Sequence, residues 1–129
     1  MNSKVVVFAS VCAVILAQEI SEERMKVLLG YHNQCKAETN IDDGLATGAL
    51  AGNFVDDPVL KQHLFCMSKK LGIQNEDGEI QKEAVREKIS KFLDDDGKIT
   101  EVTEKCSVVK DTPEETAFEL AKCIYVETH

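Results

Sequence analysis

Four cysteines, Cys35, Cys66, Cys106 and Cys123, constrain this chain more than any other feature because of how far apart they stand. Their spacing is C-x30-C-x39-C-x16-C, with no close pair. Zinc modules present thiolates in short knuckles, since two ligands from one turn must converge on one ion, and spacings this wide do not allow that locally. They suit two disulfides stapling distant segments of an exported protein. Four cysteines admit three pairings, and spacing alone leaves all three open.

A fifth cysteine, Cys12, falls in a segment that reads as a leader. Lys4 supplies a short positive region, Val5 to Ala17 is a 13-residue run with only Ser10 polar, and Ala17-Gln18 offers a small-residue cleavage point. The run falls short of the about 20 apolar residues that a membrane span needs, and it suits a secretory signal peptide. Residues 1–17 are therefore expected to be cleaved, the boundary lying within about two residues. Residues 18–129 are expected to form one domain, secreted and extracellular. Without Lys4, 14 basic residues face 23 acidic ones. That balance argues against nucleic acid or an anionic membrane as partner, because both demand basic patches. The chain has no Trp and 5% aromatic residues, so its core must be aliphatic, and in a domain this small two staples would help.

The 3.6-residue period recurs throughout, and no stretch alternates as a strand would. Ser21 is read as the cap of a first helix, with Glu22 and Glu23 in its first turn and Met25, Leu28, Leu29, His32 and Cys35 facing inward. A short helix follows Asp42-Asp43, carrying Leu45, Ala49 and Leu50 and weakened by Gly44 and Gly48. Asp57-Pro58 opens a third with Leu60, Leu64, Met67 and Leu71, closed by Gly72. A fourth carries Ile80, Ala84, Val85, Ile89 and Phe92, and Asp94 to Gly97 breaks it. A fifth runs roughly from Lys98 to Val109 with Ile99, Val102 and Cys106. Thr112-Pro113-Glu114-Glu115 begins the sixth with a capping box and an N1 proline, followed by Ala117, Phe118, Leu120, Ala121 and Ile124. Tyr125 to His129 remain as a stub. The expectation is all-α: six helices and no sheet.

These residues resemble the insect odorant-binding proteins of the pheromone-binding and general odorant-binding family. Cys35, Cys66, Cys106 and Cys123 match the first, third, fourth and sixth of that family's six cysteines. The second position falls on Gln62 and the fifth on or near Glu114, a double loss that marks the four-cysteine "minus-C" subgroup. Phe54-Val55-Asp56-Asp57-Pro58 and Lys70-Leu71-Gly72 also look typical of the family. The resemblance implies a compact six-helix fold around a central apolar cavity, with disulfides Cys35–Cys66 and Cys106–Cys123. It implies a secreted carrier that binds small hydrophobic molecules noncovalently (odorants, pheromones or similar semiochemicals) and moves them through aqueous fluid. From helix position and the family's pocket pattern, the ligand-binding residues are expected to be Met25, Leu28, Leu64, Met67, Ser68, Ile73, Ile80, Ile89, Phe118 and Ile124. Ser68, on a mostly apolar face, is the candidate polar contact. A membrane odorant receptor is an implied partner beside the small apolar ligand, and the protein is expected to be a monomer or weak dimer. Across the missing third bond, Gln62 is expected to face Glu114 and to donate an amide hydrogen bond to it, with Glu115 as the fallback.

Other motifs carry less. Asp94-Asp95-Asp96-Gly97-Lys98-Ile99 has the look of a calcium loop, but with Gly97 at its sixth position the first and twelfth fall on Phe92 and Thr103. Asp77-Gly78-Glu79-Ile80 fails in the same way at Ile73 and Ala84. Both read better as acidic helix caps. His32, His63 and His129 are too few and too scattered for a metal site, although His32 and His63 could sense pH. No metal and no cofactor are expected. No G-x-S-x-G, H-E-x-x-H or Gly-rich phosphate loop is present, so no enzymatic activity is expected. The rival from another class is a secreted, cytokine-like helical signalling protein acting through its surface. Composition does not separate the two, and the cysteine spacing favours the carrier.

Overall fold

The computed structural model describes residues 22–129, so the expected leader, with Cys12, and the Ser21 cap lie outside the described residues. Six helices are described: α1 (Glu22–Thr39), α2 (Asp43–Leu50), α3 (Pro58–Lys70), α4 (Lys82–Ile89), α5 (Asp96–Cys106) and α6 (Pro113–Thr128). Among the described residues there is no strand longer than an isolated bridge between Gln74 and Ile80. Residues 32–129 group as one compact unit, and residues 22–31 belong to another. In the segment 22–31, Met25 and Leu29 are exposed and Leu28 is half-buried. Val27, Leu28 and Leu29 are consecutive, and at about 100° per residue three neighbours span too wide an arc to share one inward stripe.

Helix ends follow local chemistry. Asp42 caps α2 by accepting from the Gly44 N–H at 3.0 Å, and Asp57 caps α3 through Val59 and Leu60 at 2.8 and 3.1 Å. Asp95 caps α5 by accepting from Lys98 N–H, which gives the acidic run a structural task. Gly72, with φ 78°, ends α3 as expected. The end of α1 uses a residue the sequence reading passed over: Asn40, at φ 62°, donates its N–H to the Lys36 carbonyl at 2.7 Å. Asn is the residue that best stands in for glycine at such a left-handed stop.

Several expected boundaries are corrected. Ile80 precedes α4 because the chain around it is already paired: Gln81 N–H donates to the Ile73 carbonyl and Asn75 N–H to that of Glu79. Phe92 lies beyond α4 and is 40% exposed. α5 starts two residues earlier than expected and stops at Cys106, leaving Val109 exposed on the following loop. Leu50 ends α2 on the solvent side. Tyr125 to His129 are no stub, for α6 runs to Thr128. Half of the expected capping box forms: Thr112 accepts from Glu115 N–H at 3.0 Å, but the Glu115 carboxylate reaches elsewhere.

The interior of residues 32–129 has two clusters. Val85 and Ile89 of α4, Ile99, Val102 and Cys106 of α5 and Leu120 of α6 form one. Ile41, Ala46 and Ala49, Leu60 of α3 and Phe118 of α6 form the other. α6 serves both because residues two apart on a helix point about 200° from each other. Phe118 therefore faces one cluster and Leu120 the other, and Thr116 and Ala117 are buried as well.

Two disulfides tie these layers. Cys35–Cys66 joins α1 to α3 with Cα atoms 5.8 Å apart, and Cys106–Cys123 joins α5 to α6 at 5.5 Å. α3 and α6 are linked instead by an ion pair, Lys61 Nζ to Glu115 Oε1 at 2.9 Å, with Asp56 also on Lys61 at 2.7 Å. Asp56 first and then Glu115 push the Lys61 ammonium above its ordinary range. The expected Gln62–Glu114 hydrogen bond does not form. Gln62 points to solvent, and its neighbour Lys61, one residue round the helix, makes the crossing to the fallback residue Glu115.

Candidate functional site

The ten residues expected to contact a ligand fall into distinct surroundings. Ile73, Ile80, Ile89 and Ile124 meet in the cluster built by α4, α5 and α6, with Ile89 fully buried. They come from four separate places: the turn after α3, the bridge before α4, α4 itself and α6. Leu64 and Phe118 belong to the second cluster, where Phe54 meets the Phe118 ring edge-on at 6.0 Å. Met67 and Ser68 lie on the C-terminal half of α3, Met67 half-buried and Ser68 buried. Met25 and Leu28 are on the 22–31 segment. Val85, Ile99, Val102 and Leu120 line the first cluster too; helix periodicity had already placed them on inward faces, but nothing in the sequence separates them from ligand contacts.

Ser68 is the chemically distinctive member. It is 4% exposed, and its hydroxyl has no hydrogen-bond partner among the described residues. A buried serine usually turns its hydroxyl back onto a carbonyl of the preceding turn, as Thr103 does here onto Ile99 at 2.7 Å. Its backbone carbonyl is taken by the Ile73 N–H at 3.0 Å, while the hydroxyl itself stays buried and unpaired. Such a group can donate one hydrogen bond and accept others. A molecule entering an aliphatic interior would find one polar anchor there.

Gln74 is also buried, but its role is structural. Its amide donates to the carbonyls of Gly78 at 3.0 Å and Pro113 at 3.2 Å, pinning the turn after α3 to the start of α6. Gly78, at φ 88°, permits that approach, since a Cβ there would lie 2.6 Å from the Pro113 ring. Beside this junction runs an open groove of about 590 Å³ between the Asp77–Lys82 turn and Ser107–Thr116. Of the ten expected residues it touches only Ile80, and Asp77, Glu79, Lys82, Lys110 and Asp111 give it a charged rim. It suits solvent better than an apolar guest.

Of the three histidines read as scattered, the structure brings two together, His32 and His63, while His129 stacks on Tyr125. His32 Nδ1 and His63 Nε2 are 3.2 Å apart, with ring centres at 5.0 Å and planes at 73°. His32 Nε2 faces Asp43 Oδ1 at 3.4 Å, and Lys36 Nζ shares that carboxylate at 2.8 Å. Lys36 first, with His32, holds the Asp43 carboxyl below its usual range. Burial, reinforced by the adjacent His32, lowers His63 to about 4. The signal for this contact was present in the sequence: His32 stands three residues before Cys35, and His63 three before Cys66. Each is one turn from its cysteine on the same face, so the bond between the cysteines brings the imidazoles together.

Among the described residues no group of three or more His, Cys, Asp or Glu side chains is placed to hold a metal ion, and no helix is long and apolar enough to cross a membrane. Comparison with known proteins gives consistent matches. The model of the PBP/GOBP family matches residues 17–127. The B1 protein of Tenebrio molitor is 37% identical over 115 residues, covering 89% of this chain and 88% of that protein. The THP12 carrier protein from yellow meal worm is 32% identical with a TM-score of 0.58, over 70% of this chain and 84% of that one. The odorant-binding protein dmelOBP28a of Drosophila melanogaster is 21% identical and superposes with a TM-score of 0.70, over 83% of this chain and 93% of its own.

Proposed function

The chain belongs to the PBP/GOBP family, and from that membership we propose how it holds its cargo. It is a non-enzymatic, noncovalent carrier of small hydrophobic molecules. The surface-acting signalling alternative is not favoured. The ligand lies among Ile73, Ile80, Ile89 and Ile124, with Leu64, Met67 and Phe118 on the side of α3 and α6. Ser68 supplies the polar contact. The observation that carries this reading is the buried Ser68 hydroxyl without a partner among the described residues, in a protein whose isoleucines converge from four separate segments. A ligand bearing one alcohol, ester or aldehyde oxygen at the end of an apolar body would satisfy both.

Proteins of this family are generally secreted. The expected leader of residues 1–17 supports the same for this chain, and a protein with two disulfides suits an oxidising compartment. Carriage through extracellular fluid, as a monomer or weak dimer that hands its cargo to a membrane receptor, is the setting proposed. The four-cysteine frame is read as a minus-C variant in which Lys61–Glu115 takes over part of the task of the missing covalent link.

Affinity follows from area. Burying roughly 300–400 Å² of ligand surface at about 25 cal/mol/Å² gives on the order of 8–10 kcal/mol before the costs of association, which points to dissociation constants near micromolar. The test is an environment-sensitive fluorescent apolar probe and its displacement. One probe per chain, displaced by alcohols and esters of about 10–15 heavy atoms with broad selectivity, is expected. No binding of any apolar probe, or picomolar selectivity for a single ligand, would overturn the reading.

A further inference from the structure

We propose that the side-chain oxygen of Gln74 is a second polar contact for the cargo, an acceptor that only a hydrogen-bond donor satisfies, so that the site prefers alcohols to ethers, esters and aldehydes of the same size. The inference deepens the carrier reading and rests on it. It concerns an atom for which the fold itself has no use.

The structural role of Gln74 belongs to its amide nitrogen alone. Nε2 donates to the carbonyls of Gly78 at 3.0 Å and Pro113 at 3.2 Å, which takes both of its protons. Two carbonyls at one end of the amide also fix which end that is, because a turned amide would set its oxygen against both. Oε1 is then left buried and without a partner, in a residue that is 2% exposed. Three buried side-chain atoms lack a partner among the described residues: Ser68 Oγ, Ser107 Oγ and Gln74 Oε1. The two hydroxyls rotate and either give or take a hydrogen bond. The amide oxygen only takes one, and leaving it bare is costly.

The surroundings turn that oxygen toward the isoleucines. Gln74 and Ile80 are paired in an antiparallel bridge, and residues paired in this way project their side chains to the same side. Ile80 packs against the cluster built by α4, α5 and α6, and so does Ile73, the residue before Gln74. Gly78 and Pro113, whose carbonyls hold the amide nitrogen, line the open groove, and Gln74 itself does not. The nitrogen end therefore backs onto the groove wall, and the oxygen, sealed from solvent, lies away from it. The same turn is anchored on Ser68, whose carbonyl accepts from Ile73 N–H at 3.0 Å and from Gln74 N–H at 3.4 Å. A cargo hydroxyl can give its proton to Gln74 and keep its lone pairs for the Ser68 hydroxyl. An ether, ester or aldehyde oxygen has no proton to give, so it answers Ser68 and leaves Gln74 bare.

The test compares two isomers, 1-decanol and methyl nonyl ether, as displacers of a fluorescent apolar probe from the disulfide-bonded protein. Both carry one oxygen on the same number of carbons, and only the alcohol donates. Gln74→Met keeps the length of the side chain and removes the acceptor, with folding checked by circular dichroism. The alcohol-to-ether affinity ratio should be about 3- to 10-fold higher in the wild type than in Gln74→Met. The wild type alone gives a second readout that does not depend on the variant folding. With glutamine side-chain carbonyls labelled with carbon-13, the Gln74 resonance should shift on saturation with 1-decanol and stay in place with the ether. Equal ratios in the two proteins, or a Gln74 carbonyl signal that responds alike to both isomers, would overturn the proposal and leave the carrier reading standing; a buried water already bonded to the oxygen would give that result. Failure of both isomers to displace the probe would overturn the two together.

Discussion

Replacing Ser68 with alanine should move stability and affinity in opposite directions. The side chain is 4% exposed and its oxygen has no partner among the described residues. An unsatisfied buried hydroxyl costs about 1–3 kcal/mol, and removing it forfeits no internal hydrogen bond. Ser68→Ala should therefore stabilise the ligand-free protein by about 1 kcal/mol, raising Tm by about 4 °C in a domain of this size. For an oxygenated ligand the same hydroxyl contributes a net hydrogen bond of about 0.5–1.5 kcal/mol, so its Kd should rise roughly 2- to 10-fold. A hydrocarbon of matched length has no such bond to lose and should bind as before. The assay is thermal melting of the ligand-free variant beside probe displacement by decanol and by a ten-carbon alkane. A lower Tm would mean that the hydroxyl has a structural partner after all. An unchanged decanol-to-alkane ratio would refute its contact with the ligand.

Three further outcomes follow from the same structure. Replacing both Cys106 and Cys123 with alanine should cost about 3 kcal/mol by loop-closure entropy for a separation of 17 residues, read as a lower Tm in denaturant-free buffer. Lys61→Met and Glu115→Gln should each lower Tm, and the second change should add little once the first is made; strict additivity would show that the link between α3 and α6 is energetically idle. Burial, with His32 beside it, lowers His63 to about 4 against 6.5 for an unperturbed imidazole, so the unfolded chain binds its proton more readily between those values. Stability should be full above pH 6.5 and fall progressively toward pH 4, by at most about 3 kcal/mol, and His63→Gln should flatten that part of the profile in urea titrations.

Six helices were legible because their starts carry strong chemistry. Asp57-Pro58 and Thr112-Pro113 each combine an oxygen cap with a proline at the first turn, and both helices begin where those signals stand. The ends were harder. Asn40 stops α1 through a left-handed backbone that many asparagines never adopt, and the bridge between Gln74 and Ile80 takes two residues from α4 through long-range pairing invisible to periodicity. Inward faces were read well where apolar residues stood three or four apart, as at Val85 and Ile89, and poorly where they ran consecutively, as at Val27 to Leu29. Isoleucines at 73, 80, 89 and 124 converge only through the tertiary fold, so their meeting in one cluster rested on the resemblance rather than on the residues. The contact between His32 and His63 was encoded in their offsets from Cys35 and Cys66, but it becomes visible only once the disulfide pairing is known.

The central claim is that an apolar molecule binds among the isoleucines, and methyl-resolved NMR tests it most directly. With isoleucine δ1 methyls labelled, titration with decanol should shift the signals of Ile73, Ile80, Ile89 and Ile124 together, saturating at one ligand per chain. Ile41, in the other cluster, should move far less. Shifts confined to methyls outside the four, or no saturable shift at millimolar ligand, would contradict the account.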